Sequence, residues 1–344
     1  MQSLNKISLA GLLPEDINKT FSLTPAYRGV QIFESIYKGL SDINKATAVP
    51  LYLRKKLSEY AVIFSSRVLN TFEDKDKTVK LRLKLKDGKY TETVLLVDKR
   101  GRKTACLSSQ VGCPMSCAFC NTGRMGFSRN LETAEIVEQF LHLRNRFGNI
   151  SNIVFMGMGE PLLNLESVRQ SITILTHPRG AGIGHKKITI STCGVIRGIV
   201  DLAEKGPHVH LAVSLISANQ KLREKLMPVA KSNTLEKLKE ALSFYQNKTG
   251  DRITLEYVLI EGINDRAEDI RALEKFIGHF KSLVNLIPLN PTDNSFRAPS
   301  GENLRRFYIE LKRKGIPVSK RYRRGRGVQA ACGQLYVRVP ARYS

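Results

Sequence analysis

Four of the six cysteines lie between residues 106 and 120, and three of these have a spacing that suits a metal cluster. Cys113, Cys117 and Cys120 follow the pattern C-x₃-C-x₂-C. Three thiolates this close together can ligate three irons of a [4Fe–4S] cubane and leave the fourth iron without a protein ligand. An open iron can bind an amino-carboxylate group such as the amino-acid end of S-adenosylmethionine (SAM). The spacing therefore favours a cluster of the radical-SAM type.

Structural zinc is the alternative explanation for these cysteines. Zinc ligands usually come as one C-x₂₋₄-C pair with a second pair some distance away. Cys193 and Cys332 each stand alone, so the chain contains no clean second pair. We therefore favour the iron–sulfur cluster over zinc.

The composition indicates a cytoplasmic protein with a polyanionic partner. The chain has 55 Lys+Arg against 31 Asp+Glu, a formal net charge of +24, and this excess favours nucleic acid or an anionic surface. It contains no run of about 18 apolar residues, so no membrane segment is expected. The N-terminal residues lack the pattern of a signal peptide. Six cysteines in 344 residues, three of them crowded together, suit a reducing compartment. RNA or DNA is therefore a better candidate partner than lipid.

Residues 1–78 are predicted to form a small helical accessory domain with a basic surface that contacts RNA. One helix is predicted over residues 27–37, where Phe33 and Ile36 fall on one apolar face at helical spacing. A second helix is predicted over residues 50–60. A β-hairpin over residues 79–98 is predicted to link this domain to the rest of the chain, because apolar and polar residues alternate on both sides of an Asp-Gly turn.

Residues 99–344 are predicted to form an α/β domain, because strand and helix signals alternate regularly. Such alternation implies parallel strands with right-handed crossovers, in either a barrel or an open doubly wound sheet. The predicted strands are 104–109, 151–156, 187–192, 209–215, 253–260 and 283–289. The predicted helices are 131–147, 164–176, 195–205, 234–248, 266–280 and 302–314.

Small and polar residues end or follow the predicted strands, at the edge where functional groups gather in α/β folds. They are Gly159 and Glu160, Ser191, Ser214, and Asn290. Each of them alone is explained as well by turn chemistry. Their recurrence at successive strand ends, on the side that carries the cysteine loop, predicts a cofactor site.

Three longer motifs resemble those of the RlmN/Cfr family of radical-SAM RNA methyltransferases. They are the segments 108–120 around the three cysteines, 156–164 (MGMGEPLLN) and 330–335 (AACGQL). The resemblance extends over nearly the whole chain and implies a partial (β/α)₆ radical-SAM barrel with an N-terminal helical domain. It implies methylation of an adenine carbon, C2 or C8, in the peptidyl-transferase centre of 23S rRNA. Enzymes of the C2 type also modify tRNA.

The resemblance also implies roles for single residues. Cys113, Cys117 and Cys120 would bind the [4Fe–4S] cluster, and the strand-end set named above would bind SAM. One SAM would methylate Cys332, and a second would give the 5′-deoxyadenosyl radical that takes hydrogen from that methyl group. The carbon radical would add to the adenine, and Cys106 would resolve the resulting thioether and finish as a disulfide with Cys332. Glu92 matches an acid that accepts a proton.

This chain departs from the family pattern near the site. Ile216 stands where histidine is usual, Gly327 and Gln329 replace acidic residues, and Cys193 replaces a small residue such as serine. These changes leave the RNA target and the methylated carbon open, although the glycine-rich motifs favour C2. The basic run from residue 320 to 327 is expected to help bind RNA.

Two other functions remain open at this stage. One is a different RNA-directed radical-SAM enzyme, and the other is a non-catalytic iron–sulfur or zinc RNA-binding protein. For the favoured function we expect 23S rRNA and tRNA as partners, a flavodoxin-type electron donor, no membrane association and a monomer.

Overall fold

The computed structural model describes residues 6–278, 280–293, 295–321, 324–325 and 327–337. Three helices form most of the N-terminal region: α1 (Pro14–Phe21), α2 (Tyr27–Tyr37) and α3 (Leu51–Tyr60). Short strands β1 (Ile7–Ser8) and β2 (Ala61–Val62) pair in parallel beside them. The predictions of α2 and α3 are confirmed, and the apolar face of α2 is buried as its spacing indicated.

Residues 67–73 differ from the prediction of a helical region extending to residue 78. They form strand β3 (Arg67–Glu73), which pairs antiparallel with β4 (Val79–Lys84). The prediction failed because β3 is an edge strand whose residues are exposed or half-buried, so no clear apolar alternation marks it. β4 pairs with β5 (Tyr90–Val97), which confirms the hairpin. Because β5 also pairs with β6 (Lys103–Cys106), the hairpin extends the main sheet and does more than link two domains.

A ten-stranded sheet forms the centre of the molecule, in the order β14-β13-β12-β11-β10-β9-β6-β5-β4-β3. Its parallel strands beyond β6 are β9 (Asn152–Phe155), β10 (Ile188–Thr192), β11 (His210–Ser214), β12 (Ile253–Leu259), β13 (Ser282–Pro288) and β14 (Val318–Lys320). β6 and the five strands from β9 to β13 are the six predicted strands. The partial (β/α)₆ barrel is therefore confirmed, with β14 as an additional parallel strand.

Helices cover the outer face of these strands. They are α5 (Thr133–Phe147), α6 (Leu165–Thr176), α7 (Ile196–Lys205), α9 (Leu235–Thr249), α10 (Ala267–Ile277) and α11 (Gly301–Arg313). Between β6 and α5 lie the short hairpin of β7 (Gln110–Gly112) and β8 (Phe127–Asn130) and the helical turn α4 (Asn121–Arg124). The short helix α8 (Gln220–Leu226) follows β11 and was not predicted. No helix among the described residues is long and apolar enough to cross a membrane.

Strand β12 illustrates how the alternation of side chains separates the core from the site. Leu255 and Tyr257 are fully buried in the core beneath the helices. Glu256 and Val258 alternate with them along the strand, so their side chains lie on the opposite face of the sheet and line a cavity inside the barrel. An acidic residue in an otherwise apolar strand therefore faces the interior of the barrel.

The segment after β14 crosses from one edge of the sheet to the other. The backbone N–H of Gly325 donates to Asp76 at 2.9 Å, and that of Gly327 donates to Asp74 at 2.8 Å, both beside the turn between β3 and β4. Further along, Lys80 Nζ donates to the carbonyl of Gln329 at 3.3 Å. These contacts lay residues 324–337, where described, across the open side of the barrel, and they bring Cys332 to its mouth.

Buried Glu138 on α5 fastens the N-terminal region to the barrel. Its two oxygens accept hydrogen bonds from the backbone and side chains of Ser65 and Ser66 and from the hydroxyl of Ser8. His142, one turn further along α5, lies 3.2 Å from the Ser66 hydroxyl, and its ring stacks on that of Phe64. Burial, assisted by the charge of a nearby arginine, lowers the pKa of His142 to about 4.

This lowered pKa predicts acid sensitivity at the junction. Protonation of His142 is disfavoured in the folded state, so its contribution to stability is present above the unfolded value near 6.5 and is lost as pH falls toward about 4. Between about pH 7 and pH 5.5 we expect the wild type to lose about 1 kcal/mol more unfolding free energy than His142→Gln. Denaturant titrations of both proteins at the two pH values measure the difference. Equal losses would contradict the expectation.

Candidate active site

The three cysteines of the C-x₃-C-x₂-C motif line one cavity inside the barrel, called here the inner cavity, which has a volume of about 140 Å³. Cys113 follows β7, and its backbone N–H donates to the carbonyl of Gly126 at 2.9 Å. Gly112 makes this close approach possible: its φ is +76°, and a Cβ there would overlap the Gly126 carbonyl oxygen. Cys120 immediately precedes α4. The β7–β8 hairpin and α4 therefore hold the three thiols around one space.

Burial raises the pKa of Cys113 to about 12 and raises that of Cys117 further. Each is also raised by the other nearby thiols. Both therefore remain protonated unless a cation takes the place of the proton, as an iron cluster does.

The inner cavity has the lining that an iron–sulfur cluster requires. Within the described part of the chain, no three His, Cys, Asp or Glu side chains are grouped as a single metal ion would require. Cys113, Cys117 and Cys120 instead line the wall of a larger space that they share with apolar side chains such as Met115 and Phe119. Three sulfurs around such a space fit a [4Fe–4S] cubane that is shielded from water.

All five strand-end residues named from the sequence line the same cavity. They are Gly159, Glu160, Ser191, Ser214 and Asn290. The backbone at Gly159 has φ +101°, and a Cβ there would lie 2.5 Å from Gln110, so only glycine fits. The structure therefore brings the predicted cofactor-binding set together with the predicted cluster ligands.

Glu160 presents an uncompensated carboxylate to the inner cavity. Its oxygens accept the backbone N–H groups of Leu162 at 3.0 Å and Cys193 at 2.8 Å. No Lys or Arg of the described residues pairs with it, and burial raises its pKa. A buried acid of this kind stabilises a cationic ligand such as an ammonium group.

Asn290 offers a second unused polar group. Its side-chain N–H₂ donates to the backbone carbonyl of Cys332 at 3.3 Å, whereas its buried Oδ1 has no partner among the described residues. Buried acceptors normally accept a hydrogen bond, so this unpartnered oxygen in the cavity wall can accept one from a donor group of a ligand.

A second cavity of about 80 Å³, called here the outer cavity, contains Cys106 and Cys332. It shares a wall with the inner cavity, and Cys332 lies in that shared wall together with Cys120 and Asn290. Cys106 ends β6 and is buried, which raises its pKa to about 12. Cys332 is exposed at the mouth, yet the surrounding protein still raises its pKa, while Arg321 opposes the change. The thiols of Cys106 and Cys332 are close enough to influence each other electrostatically.

The expected disulfide between Cys106 and Cys332 is not formed in this structure. Both cysteines are free thiols, and so are the other four. The structure therefore does not support a standing disulfide bond between these two cysteines.

Arg321 lies at the centre of the site and was not identified from the sequence. It lines both cavities, and its charge influences Cys106 and Cys332. Its guanidinium lies 3.9 Å from Glu256, which also accepts hydrogen bonds from Asn285 at 2.9 and 3.2 Å. In the sequence Arg321 is one of several cations in a basic run, so nothing marks it out. Glu256 did carry a signal, because it is an acid within an apolar strand.

Arg223 on α8 is a second residue that the sequence interpretation missed. It is fully buried, and its guanidinium donates to the backbone carbonyls of Cys193 at 2.6 Å and Leu215 at 3.1 Å. Burial lowers its pKa. The side chain joins the ends of β10 and β11, which fixes the loops that carry Ser191 and Ser214.

Ile216, one of the departures from the family pattern, has an unusual backbone. Its φ of +62° is in the left-handed region, where a β-branched side chain is strained. Asn264 holds it there by donating to its carbonyl at 2.7 Å, and the side chain lines the inner cavity. An apolar wall thus replaces the polar group usual at this position.

Glu92 lies away from the lining of either cavity. It is fully buried on β5, where it pairs with Lys80 at 3.4 Å and Arg82 at 3.1 Å and accepts the backbone N–H of Tyr336 at 3.2 Å. These contacts anchor the crossing segment near Leu335, which does line the outer cavity. The structure therefore places Glu92 behind the reaction space.

The structure describes part of the basic run from residue 320 to 327. Arg324 lines the outer cavity, while Gly327 and Gln329 lie at the surface of the crossing segment. Arg323 and Arg326 lie outside the described residues.

Comparison with known proteins agrees with this geometry. The Radical SAM superfamily model matches residues 107–277. A probable dual-specificity RNA methyltransferase RlmN from Treponema pallidum (strain Nichols) is 47% identical over 95% of this chain and 97% of its own length. The ribosomal RNA large subunit methyltransferase N of Nitrosopumilus maritimus is 40% identical over 94% and 97%. The crystal structure of a radical SAM methyltransferase from Sphaerobacter thermophilus matches with a TM-score of 0.91, at 37% identity over 95% and 98%.

The barrel and its three-cysteine loop define a radical SAM enzyme. More closely, the chain belongs to the RlmN/Cfr family of radical SAM RNA methyltransferases. Membership implies a [4Fe–4S] cluster and SAM as cofactors.

Proposed function

We propose that this protein methylates C2 of an adenine in the peptidyl-transferase centre of 23S rRNA, and of tRNA as well, with Cys332 as the methyl carrier. The position of Cys332 supports this most directly. It lies in the wall between the inner cavity of the cluster cysteines and the outer cavity of Cys106. A carrier that receives a group on one side and delivers it on the other needs this position.

The chain's own residues divide the work between the two cavities. Cys113, Cys117 and Cys120 hold the cluster, while Glu160 and Asn290 hold the polar end of SAM. When bound, the cluster and SAM supply the methyl group and the one-electron chemistry that an electron-poor ring carbon requires. Gly159 allows close backbone approach, and Ser191 and Ser214 contribute further polar contacts to SAM from neighbouring strand ends.

In the outer cavity the carrier meets the RNA. The Cys332 thiolate would take the methyl group of one SAM, and a 5′-deoxyadenosyl radical from a second SAM would remove one hydrogen atom from that methyl group. Its carbon would then bond to the adenine ring, which joins RNA and protein through Cys332, and the ring would give up a proton and one electron, the electron returning to the cluster. The Cys106 thiolate, at the end of β6, would attack the Cys332 sulfur and form a disulfide with it, so that the carbon leaves on the adenine and takes up a proton to become its methyl group. Arg321 lies beside both sulfurs and favours the thiolate form of each. Glu92, held by two cations, positions the crossing segment that carries Cys332; the proton-acceptor role implied by the family fits its location less well.

The target base must leave its stack to reach the outer cavity, so a single-stranded or flipped adenine is the expected substrate. The charge of +24 supports binding of the surrounding phosphates. C2 is preferred over C8 because the 108–120 and 156–164 motifs favour the C2 branch of the family. A flavodoxin-type reductant would supply electrons, and a cytoplasmic monomer is the expected form.

Glu160→Gln tests the SAM site. The substitution keeps the shape but removes the negative charge that would face the ammonium group of SAM, so we expect SAM affinity to fall by roughly 10- to 100-fold, since a charge-assisted hydrogen bond contributes about 1.5–3 kcal/mol. Calorimetric titration of the reconstituted protein measures the affinity. Glu166→Gln is the control, because Glu166 is an exposed acid on α6 and its substitution removes one charge outside the cavity. Gln110→Glu is not suitable, because the Gln110 side chain accepts the backbone N–H of Glu160. Equal SAM affinity in Glu160→Gln and Glu166→Gln would refute the role.

Mass spectrometry of nucleosides tests the function as a whole. Reconstituted protein, SAM, a reductant and unmodified 23S rRNA are incubated without oxygen, and the RNA is digested. We expect 2-methyladenosine at one position in the peptidyl-transferase centre. 8-Methyladenosine would correct the assigned carbon, whereas cleavage of SAM without RNA methylation would favour a different radical-SAM enzyme. A protein that binds RNA but never cleaves SAM would support the non-catalytic alternative.

A further inference from the structure

A basic groove adjoins the outer cavity. The groove has a volume of about 880 Å³ and lies between the β3–β4 turn and the β5–β6 turn. Its charged lining consists of Lys75, Asp76, Lys77, Asp98, Lys99, Arg100, Arg102 and Arg324. Six cationic side chains thus face two carboxylates, so the groove is strongly positive and suits an anionic ligand.

The two carboxylates in the groove already have structural tasks. Asp98 accepts the backbone N–H groups of Arg100 and Arg102 at 2.9 Å each and pairs with the Arg102 side chain at 3.0 Å. Asp76 accepts the backbone N–H groups of Thr78 and Gly325 at 2.9 Å each. Both acids therefore shape the turns, and the six cations of the lining still outnumber them by four.

Three exposed cations of the groove have no acidic partner within the described part of the chain. They are Lys75 and Lys77 on the first turn and Arg100 on the second. Long, exposed, like-charged side chains that face one groove repel one another unless an anion lies between them. Because these cations lie on two separate turns, they are spread along the groove and are not gathered at one place.

The groove is continuous with the reaction space through Arg324. This residue lines the basic groove and also the outer cavity, where Cys106 and Cys332 lie. Its position is fixed by the next residue, because Gly325 donates to Asp76 in the wall of the groove. A bound polymer with one unit in the outer cavity can therefore continue along the protein surface into the basic groove.

We propose that this groove binds the sugar–phosphate backbone of the single-stranded nucleotides that flank the target adenine on one side. The proposal rests on the proposed function, since it requires an RNA with its adenine in the outer cavity. The charged residues and Val97 are the whole lining in the described chain, and no aromatic side chain is among them. The groove therefore follows phosphates and does not read bases, and it contributes register and affinity without sequence preference.

The test compares two triple variants that lose the same charge. The groove variant is Lys75→Ala with Lys77→Ala and Arg100→Ala. The control variant is Lys237→Ala with Arg271→Ala and Arg305→Ala, three exposed cations on α9, α10 and α11. Both are prepared as cluster-loaded holoenzyme, and iron content and circular dichroism establish that each has folded. The RNA is a 23S rRNA fragment with the peptidyl-transferase loop, and its Kd is measured over a range of salt concentrations.

The groove variant should lose about two from the slope of log K against log salt, because each lost single-strand phosphate contact contributes about 0.7. At about 0.15 M salt this corresponds to weakening on the order of 50-fold. The control variant should change both quantities much less. A groove variant whose slope and affinity equal those of the control would overturn the proposal.

Two further outcomes are distinguishable. If the wild type fails to methylate this RNA at all, the proposed function is wrong and the groove proposal falls with it; if the wild type methylates and the two variants bind alike, only the groove proposal is wrong. An acidic electron-transfer protein is the competing ligand. Normal RNA affinity in the groove variant, together with slow reduction by a flavodoxin and normal reduction by dithionite, would assign the groove to that protein and overturn the RNA proposal.

Discussion

Cys106→Ala is expected to accumulate protein covalently joined to RNA, whereas Cys332→Ala is expected to form no adduct at all. The two cysteines line the same outer cavity, but only Cys332 also lines the inner cavity. Removing Cys332 removes the methyl carrier, so neither methylated protein nor adduct can form. Removing Cys106 leaves the carrier and the addition to the base intact and eliminates only the thiol that resolves the link.

Both variants should lose at least about 100-fold in methylated RNA per hour, well beyond the change expected from a lost packing contact alone. A denaturing gel distinguishes them, because only Cys106→Ala should give a slowly migrating species that nuclease treatment removes. Mass spectrometry of the digested adduct should locate the nucleotide on Cys332.

Cys193→Ser is the matched control for this pair, because a serine hydroxyl retains the hydrogen bond that the Cys193 thiol makes with Glu160. Cys193 is also a buried free cysteine, but it lines only the inner cavity and has no place among the three cluster ligands or the two reacting thiols. It should fold, methylate RNA and form no adduct. Normal turnover by Cys106→Ala, or methylation by Cys332→Ala, would show that the two-cysteine mechanism does not apply to this chain. If both cysteines only fill space, each variant should lose some stability and retain full activity.

The barrel was predictable because its strands and helices alternate in regular lengths. All six predicted parallel strands and the helices between them are present, since each strand is an apolar run flanked by turn residues. Strands β3 and β14 were missed for one common reason. They are the two edges of the sheet, and their mixed, partly exposed residues carry no strong period.

The site was only partly predictable, because some of its residues lie at the ends of predicted strands whereas others are positioned by contacts between residues far apart in the sequence. Ser191 and Ser214 lie at the ends of β10 and β11, and Glu160 and Asn290 lie in the loops after β9 and β13, so parallel pairing brings all four to one edge. Arg321 directly follows β14, the edge strand that the sequence did not reveal, and its backbone N–H donates to the carbonyl of Leu286 on β13 at 3.0 Å. The segment that carries Cys332 depends in turn on hydrogen bonds between residues about 250 positions apart, as between Gly327 and Asp74. Local sequence patterns do not encode such contacts.

Cys117→Ala is expected to abolish cluster assembly and with it every later step. Cys117 is the central ligand of the motif and is buried among Ile216, Leu226 and Met227, so a lost sulfur there cannot be replaced by solvent. We expect bound iron to fall from about four per chain to near zero and the brown absorbance of a [4Fe–4S] centre to disappear.

Reconstitution under anaerobic conditions, followed by iron and sulfide analysis and a SAM-cleavage assay, checks this result. Circular dichroism must first show that Cys117→Ala has folded, so that loss of the cluster is not confused with loss of the fold. We expect the fold to survive, because replacing Cys by Ala leaves only a small cavity. Cys193→Ser serves as the control, since it alters a thiol in the same cavity that the motif does not use. Cys193→Ser should retain the cluster and the production of 5′-deoxyadenosine. A full cluster and normal SAM cleavage in Cys117→Ala would remove the assignment of this cysteine, whereas equal loss in both variants would show that the cavity depends on its thiols collectively and not on the C-x₃-C-x₂-C set.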